Sequence, residues 1–144
     1  ESGDDVCVLC EGDPFFYGSF MHIYERLRFE APIEVIPAIT GMSAAWTATG
    51  LPITWGDNIL TILTGTLSKE ALIDKISTTD AAVIMKVGQN LDKIRAAITL
   101  AERESDAFIV EYAAMSNQSV CKLVEYTKAV APYFSIIILH GEAK

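Results

Sequence analysis

Short apolar runs alternate with stretches of helical period along this 144-residue chain, and that alternation restricts its fold more than any single motif does. Val6 to Cys10 reads as a strand. From Ser19 to Leu27, the residues Phe20, Ile23, Tyr24 and Leu27 recur at helical spacing and give one apolar face. Ile33 to Ile36 is a second strand, stopped at Pro37. Met42, Ala45, Trp46 and Thr49 form another helical face, which Gly50 and Pro52 end. A second series then begins. Ile59 to Leu63 predicts a strand, and a helix follows from the N-cap Ser68 to Ile76. Ala81 to Met85 is a buried strand, after which "VGQN" opens a helix carrying Leu91, Ile94, Ile98 and Ala101. Ala107 to Val110, Ser119 to Val124 and Ser135 to Leu139 are three further strands, with a short helix over "YTKAVAPYF". No internal repeat is evident.

This order predicts an α/β architecture in which helices cover a mainly parallel sheet. The two series are unequal. From Trp55 onward there are five strands, enough for a small domain, whereas the part before it has two strands, too little sheet for independent stability. The expectation is therefore two α/β domains, residues 1–54 forming the C-terminal half of the first, with an N-terminal portion missing, and residues 55–144 the second. One continuous sheet of all seven strands stays open as the alternative.

Composition narrows the function classes. Hydrophobic residues make up 51% of the chain, enough for a core, yet no uncharged apolar run approaches the length of a membrane span. The first residues, Glu1-Ser2-Gly3-Asp4-Asp5, are the opposite of a signal peptide, so a soluble cytoplasmic protein is expected. A formal net charge of −8 with no basic run argues against a nucleic-acid partner. Three cysteines make no disulfide framework. Cys7 and Cys10 on a strand point to opposite faces, and all three thiols are expected to be buried, reduced and inert. His22 and His140 have no acidic or thiol neighbours at ligand spacing, so no metal site is expected.

The segment "GDPFFYG" sits where the first strand ends. The carboxyl edge of an open α/β sheet is the usual position for a ligand. Gly12 lets backbone approach a ligand closely, Pro14 fixes the turn, and Phe16 and Tyr17 can cover an apolar or ring-shaped molecule. An ordinary strand-to-helix turn whose rings join the core explains the same residues equally well. In "PAITGMSAA", Thr40 and Gly41 stand at a helix N-terminus with backbone N–H groups and a hydroxyl available, and an N-cap is the plain alternative.

Four segments together, "CEGDPFFYGSFMHIYERL", "VIPAITGMSAAWTATGLPIT", "AAVIMKVGQNLDKI" and "IVEYAAMSNQ", resemble the tetrapyrrole (corrin/porphyrin) methylases, in order and spacing, over the whole chain. The resemblance implies two α/β domains with S-adenosylmethionine bound between them, and a homodimer. It implies cofactor contacts at Gly12, Asp13, Phe16, Tyr17, Thr40 and Gly41, with Asp13 accepting hydrogen bonds or favouring the positive sulfonium. Met85 and Lys86 match the position of backbone contacts to the adenosyl part. Ala113 keeps a small residue where many members read Glu-Arg-Ala/Gly-Thr, but Tyr112 stands for the Arg and Ala114 for the Thr, which puts any role of those side chains in doubt.

The activity implied is methylation of an electron-rich meso carbon of a tetrapyrrole, with precorrin-2 at C-20 suggested by the "GDPFFYGSFMHIYERL" and "IMKVGQNL" wording. Such a transfer needs alignment and water exclusion rather than a side-chain nucleophile, and no Ser/His/Asp or Cys/His arrangement stands out. Two other readings remain: a methylase of the same superfamily with a different substrate, or a ligand-binding piece without turnover; with the N-terminal portion missing, the piece alone is expected to be inactive or nearly so.

Overall fold

In the computed structural model, which describes residue 3 and residues 5–143, the strands β1 (Leu60–Thr64), β2 (Ala81–Met85), β3 (Ala107–Glu111), β4 (Ser119–Lys122) and β5 (Ser135–Leu139) pair into one sheet of order β1-β2-β5-β3-β4. Glu1, Ser2 and Asp4, part of the acidic start read above, lie outside the described residues, as does Lys144. The helices are α1 (Phe20–Leu27), α2 (Gly41–Ala48), α3 (Lys69–Ser77) and α4 (Leu91–Leu100). The chain divides into two compact units, Glu1–Gly41 and Met42–Lys144.

The larger unit holds the sheet. β1 and β2 pair in parallel around α3, as a crossover helix requires. Ser68 caps α3, its hydroxyl accepting from the Ala71 amide at 3.2 Å. The other three pairings are antiparallel, so the expected mainly parallel sheet is corrected to a mixed one. The physical reason lies in the connections: β3, β4 and β5 follow one another without an intervening α-helix, and a parallel return needs such a crossover. The expected helix over "YTKAVAPYF" does not form. A single 3-10 turn at residues 123–125 stops just before it, and Pro132 lacks a backbone N–H for a helix there.

Alternation along the strands sends side chains to two faces. Leu63, Ala82, Ile84, Ala107, Ile109, Ile137 and Leu139 pack with Leu72 and Ile76 of α3 and Leu91, Ile94 and Ile98 of α4. On the other face, Val83, Val110 and Ile138 meet Ala45, Met42 and Trp46 of α2. Arg103 closes the end of the sheet where β2 and β3 begin and β5 ends, pairing with Asp106 and donating to the carbonyls of Thr79 (2.9 Å) and Asp80 (2.8 Å).

The smaller unit contains α1 and two loops, and among its described residues it has no strand. Val6–Cys10 and Ile33–Ile36, both read as strands, have no regular secondary structure and no ladder partner in the described residues. An apolar run becomes a strand only when a neighbour takes its hydrogen bonds. Without one, Val6, Leu9 and Ile36 stand 87%, 91% and 74% exposed. The expectation of buried thiols fails with the strand that carried it: Cys7 and Cys10 are exposed, and Cys121 on β4 is half-buried. The seven-stranded alternative is likewise replaced by a sheet of five strands among the described residues.

Candidate functional site

Because β5 runs against both of its neighbours, β2 and β3 point the same way, as does β1. The C-terminal ends of these three strands share one edge, and the predicted residues Met85, Lys86 and Ala113 all lie there. The chain leaves that edge in an unusual conformation. Lys86 has φ 54°, Tyr112 φ 52° and Ala114 φ 62°. Among the described residues five non-glycine positions are left-handed, and with Tyr17 at φ 53° four of the five fall in the segments singled out above. Such a residue costs roughly 1–3 kcal/mol and persists only where its surroundings over-determine it, a pattern concentrated at functional sites.

The surroundings do so here. At the first turn, the Gly65 amide donates to the Met85 carbonyl at 2.7 Å, and Asn90 Nδ2 donates to the Lys86 carbonyl at 3.0 Å. Gly65 is required by space: a Cβ there would stand 2.8 Å from the Lys86 carbonyl oxygen and 2.8 Å from Ile94 Cδ1. At the second turn, the Tyr112 amide donates to the Phe134 carbonyl at 2.8 Å and the Ala114 amide to Gln118 Oε1 at 2.7 Å, which brackets Ala113 between two fixed amides.

Beneath that second turn is a buried ionic group. Glu111, the last residue of β3, is 4% exposed. Its carboxylate accepts from Lys128 Nζ at 2.9 Å on both oxygens and from the Tyr126 hydroxyl. Burial pushes the Glu111 carboxyl up, but the bonds from Lys128 and Tyr126, with the lysine charge, outweigh it and hold the group below its ordinary value. Burial and then the carboxylate raise the Tyr126 phenol, so it stays a donor. The Arg95 guanidinium donates to the Tyr126 carbonyl, joining α4 to the same group.

The smaller unit joins its two predicted loops through Asp13. Its Oδ1 accepts from the Phe15 amide at 2.9 Å and its Oδ2 from the Ala38 amide at 3.0 Å, so one carboxylate closes its own turn and holds the segment leading to Thr40 and Gly41. Gly12 has φ 87°, and a Cβ there would face the Ile39 carbonyl and the Gly41 amide at 3.7 and 3.8 Å. Glycine is needed for conformation and not for space. The aromatic residues divide between the two readings. Phe15 packs edge-on against Tyr24 of α1 at 4.8 Å, an internal role, whereas Phe16 and Tyr17 pair with each other at 5.0 Å. Thr40 is half-buried and immediately precedes Gly41, which opens α2.

Thus Gly12, Asp13, Thr40 and Gly41 come together within one unit, and Met85, Lys86 and Ala113 along one sheet edge of the other. The sequence reading passed over Gly65, Asn90, Gln118, Glu111, Tyr126 and Lys128. Two of these left a signal: Gly65, as the glycine of a Thr-Gly-Thr loop directly after a strand, and Glu111, which keeps the first residue of the Glu-Arg-Ala/Gly-Thr pattern.

The profile of the tetrapyrrole (corrin/porphyrin) methylases matches residues 1–127. The chain is 46% identical over 140 residues to a precorrin-2 C(20)-methyltransferase of Sinorhizobium sp, covering 97% of this chain and 57% of that protein. It is 36% identical over 141 residues to the cobalamin biosynthesis protein CobIJ of Mycobacterium tuberculosis (strain ATCC 25618 / H37Rv), covering 98% of this chain and 28% of the relative. Among solved structures, a cobalt precorrin-4 methyltransferase, CbiF, superposes with a TM-score of 0.74 at 18% identity, covering 90% of this chain and 61% of that one. The uroporphyrin-III C-methyl transferase of Thermus thermophilus complexed with S-adenyl homocysteine gives 0.62 at 22% identity, covering 88% and 62%. The chain therefore spans less than two thirds of the length of each of these relatives. With the profile covering most of its length, the chain belongs to the tetrapyrrole (corrin/porphyrin) methylases.

Proposed function

We propose that the protein methylates precorrin-2 at C-20, with S-adenosylmethionine as donor, giving precorrin-3A in cobalamin biosynthesis. The observation that carries this reading is the 46% identity, across 97% of the chain, to a precorrin-2 C(20)-methyltransferase. The S-adenyl homocysteine complex of the Thermus thermophilus enzyme supports the class of cofactor.

The residues present fit an adenosyl group in one respect. Left-handed backbone at Lys86, Tyr112 and Ala114 stands where β2 and β3 end, at the sheet edge where open α/β folds usually meet a ligand. Bound S-adenosylmethionine would supply an activated methyl on a sulfonium. Met85, Lys86 and Ala113 are the proposed contacts in the larger unit, and Gly12, Asp13, Phe16, Tyr17, Thr40 and Gly41 in the smaller one. Their task is to hold and orient, which is what an in-line displacement asks of a protein. The division into domains at residues 54 and 55, a homodimeric assembly and a cytoplasmic location are parts of the same proposal. Among the described residues no helix is long and apolar enough to cross a membrane.

Titration calorimetry of the full-length protein with S-adenosylhomocysteine, followed by methyl incorporation into precorrin-2 against other tetrapyrroles, tests the reading. Saturable binding and preference for precorrin-2 are expected. Absence of heat at millimolar ligand would refute the cofactor assignment, and preference for another tetrapyrrole would refute the substrate.

A further inference from the structure

We propose that Glu111 is a positioning residue for the cofactor turn: its carboxylate, clamped by Tyr126 and Lys128, sets the backbone of residues 112–114 in the binding conformation. The inference rests on the reading above that this turn meets the adenosyl group.

The argument begins from the turn itself. Tyr112 and Ala114 are both left-handed without being glycine, so the segment needs external restraint. Two restraints act directly, the Phe134 carbonyl on the Tyr112 amide and Gln118 on the Ala114 amide. The third is Glu111, which fixes the point from which the turn departs. Its register is set on both sides, against Ser119 of β4 and Ser135 of β5. Its side chain is buried, and its two oxygens take the Lys128 ammonium and the Tyr126 hydroxyl. Tyr126 is itself buried and is held by Arg95 through its carbonyl. A chain of contacts therefore runs from α4 through Tyr126 to Glu111 and on to the turn. A buried carboxylate is costly unless paired, and a hydrophobic residue would serve packing as well. Its presence one residue before a strained turn at the ligand edge is explained by the direction it imposes. Lys128 supplies that direction from a side chain 56% exposed, so it can be changed with little effect on packing.

The test is the dissociation constant for S-adenosylhomocysteine in five variants of the protein. Glu111→Gln, Tyr126→Phe and Lys128→Met are expected to weaken binding about tenfold, or ~1.4 kcal/mol. Lys128→Arg keeps the charge and two donors, and is expected to retain the wild-type constant. Ile98→Val trims the core on α4 away from the turn and is expected to bind normally despite lowered stability. Wild-type affinity in Glu111→Gln, or equal weakening in Ile98→Val, overturns the inference and leaves the cofactor reading standing. Equal weakening in Lys128→Arg and Lys128→Met also overturns it. No binding by the wild type overturns both.

Discussion

Replacing Gly65 by alanine tests whether the Lys86 turn is held by close backbone approach. The new Cβ would stand 2.8 Å from the Lys86 carbonyl oxygen, 2.8 Å from Ile94 Cδ1 and 3.2 Å from Asn90 Cβ. Ile94 can rotate a terminal methyl, but the carbonyl belongs to backbone already in a left-handed conformation and held by Asn90. Overpacking of this kind costs roughly 1–3 kcal/mol, with a backbone neighbour placing it in the upper part of that range. Gly65 is not left-handed, so alanine also lowers unfolded-chain entropy and returns about 0.4–1 kcal/mol. Strain on the 2.7 Å bond from the Gly65 amide to the Met85 carbonyl removes about 0.5–1.5 kcal/mol more. The net expectation is a loss of ~3 kcal/mol, or about 12 °C at roughly 4 °C per kcal/mol for a domain near this size. Urea unfolding followed by circular dichroism measures it, with the midpoint lowered and the slope unchanged. A change within about 0.5 kcal/mol, the range of ordinary surface substitutions, would show that the turn adjusts freely and that close approach is no constraint.

Two other perturbations follow from the geometry. His140 is buried, with Nδ1 2.9 Å from the Pro52 carbonyl and Nε2 2.9 Å from the Thr49 hydroxyl. Burial lowers its pKa below the ordinary 6.5, with the Pro52 bond opposing in part, so the unfolded chain binds the proton more readily. Its stability contribution is full above pH 6.5 and declines as pH falls toward the lower folded value, and His140→Gln is expected to flatten that limb in urea midpoints taken across pH. At Gly12, alanine meets only ordinary contacts but must adopt φ 87°, at about 1–2 kcal/mol. Amide exchange at Phe15 and Ala38 should quicken in Gly12→Ala and recover partly in Gly12→Asn; unchanged exchange in Gly12→Ala would refute the conformational argument.

The elements that depend on neighbours in sequence were legible. Ala81–Met85 and Ser135–Leu139 carry uninterrupted apolar runs and are strands with those bounds, and Ser68 caps its helix as its side chain predicts. Strand direction was not legible, because pairing is decided by connections and not by the residues of a strand. Val6–Cys10 shows the complementary error: its pattern suits a strand, but pattern does not supply a partner. At the site, the strand ends were visible while the left-handed turns were not, since Tyr112 and Ala114 are poor residues for that conformation and reach it only under tertiary restraint. The group of Glu111, Tyr126 and Lys128 spans a loop without regular spacing, so no periodicity announces it.

The central place of β5 in the sheet has a consequence for the order in which the molecule can assemble. β1 with β2, and β3 with β4, are pairs that close over short stretches of chain, yet within the sheet they are hydrogen-bonded to each other only through β5, which follows both in sequence. On a ribosome both pairs wait with an open apolar edge until Ser135–Leu139 emerges to join them. Contacts such as Ile84 with Ile137 are of long sequence separation, the kind that slows folding and lengthens exposure of unpaired edges. Chaperone dependence and aggregation on synthesis should therefore respond to substitutions in β5 more sharply than to equally buried ones in β1.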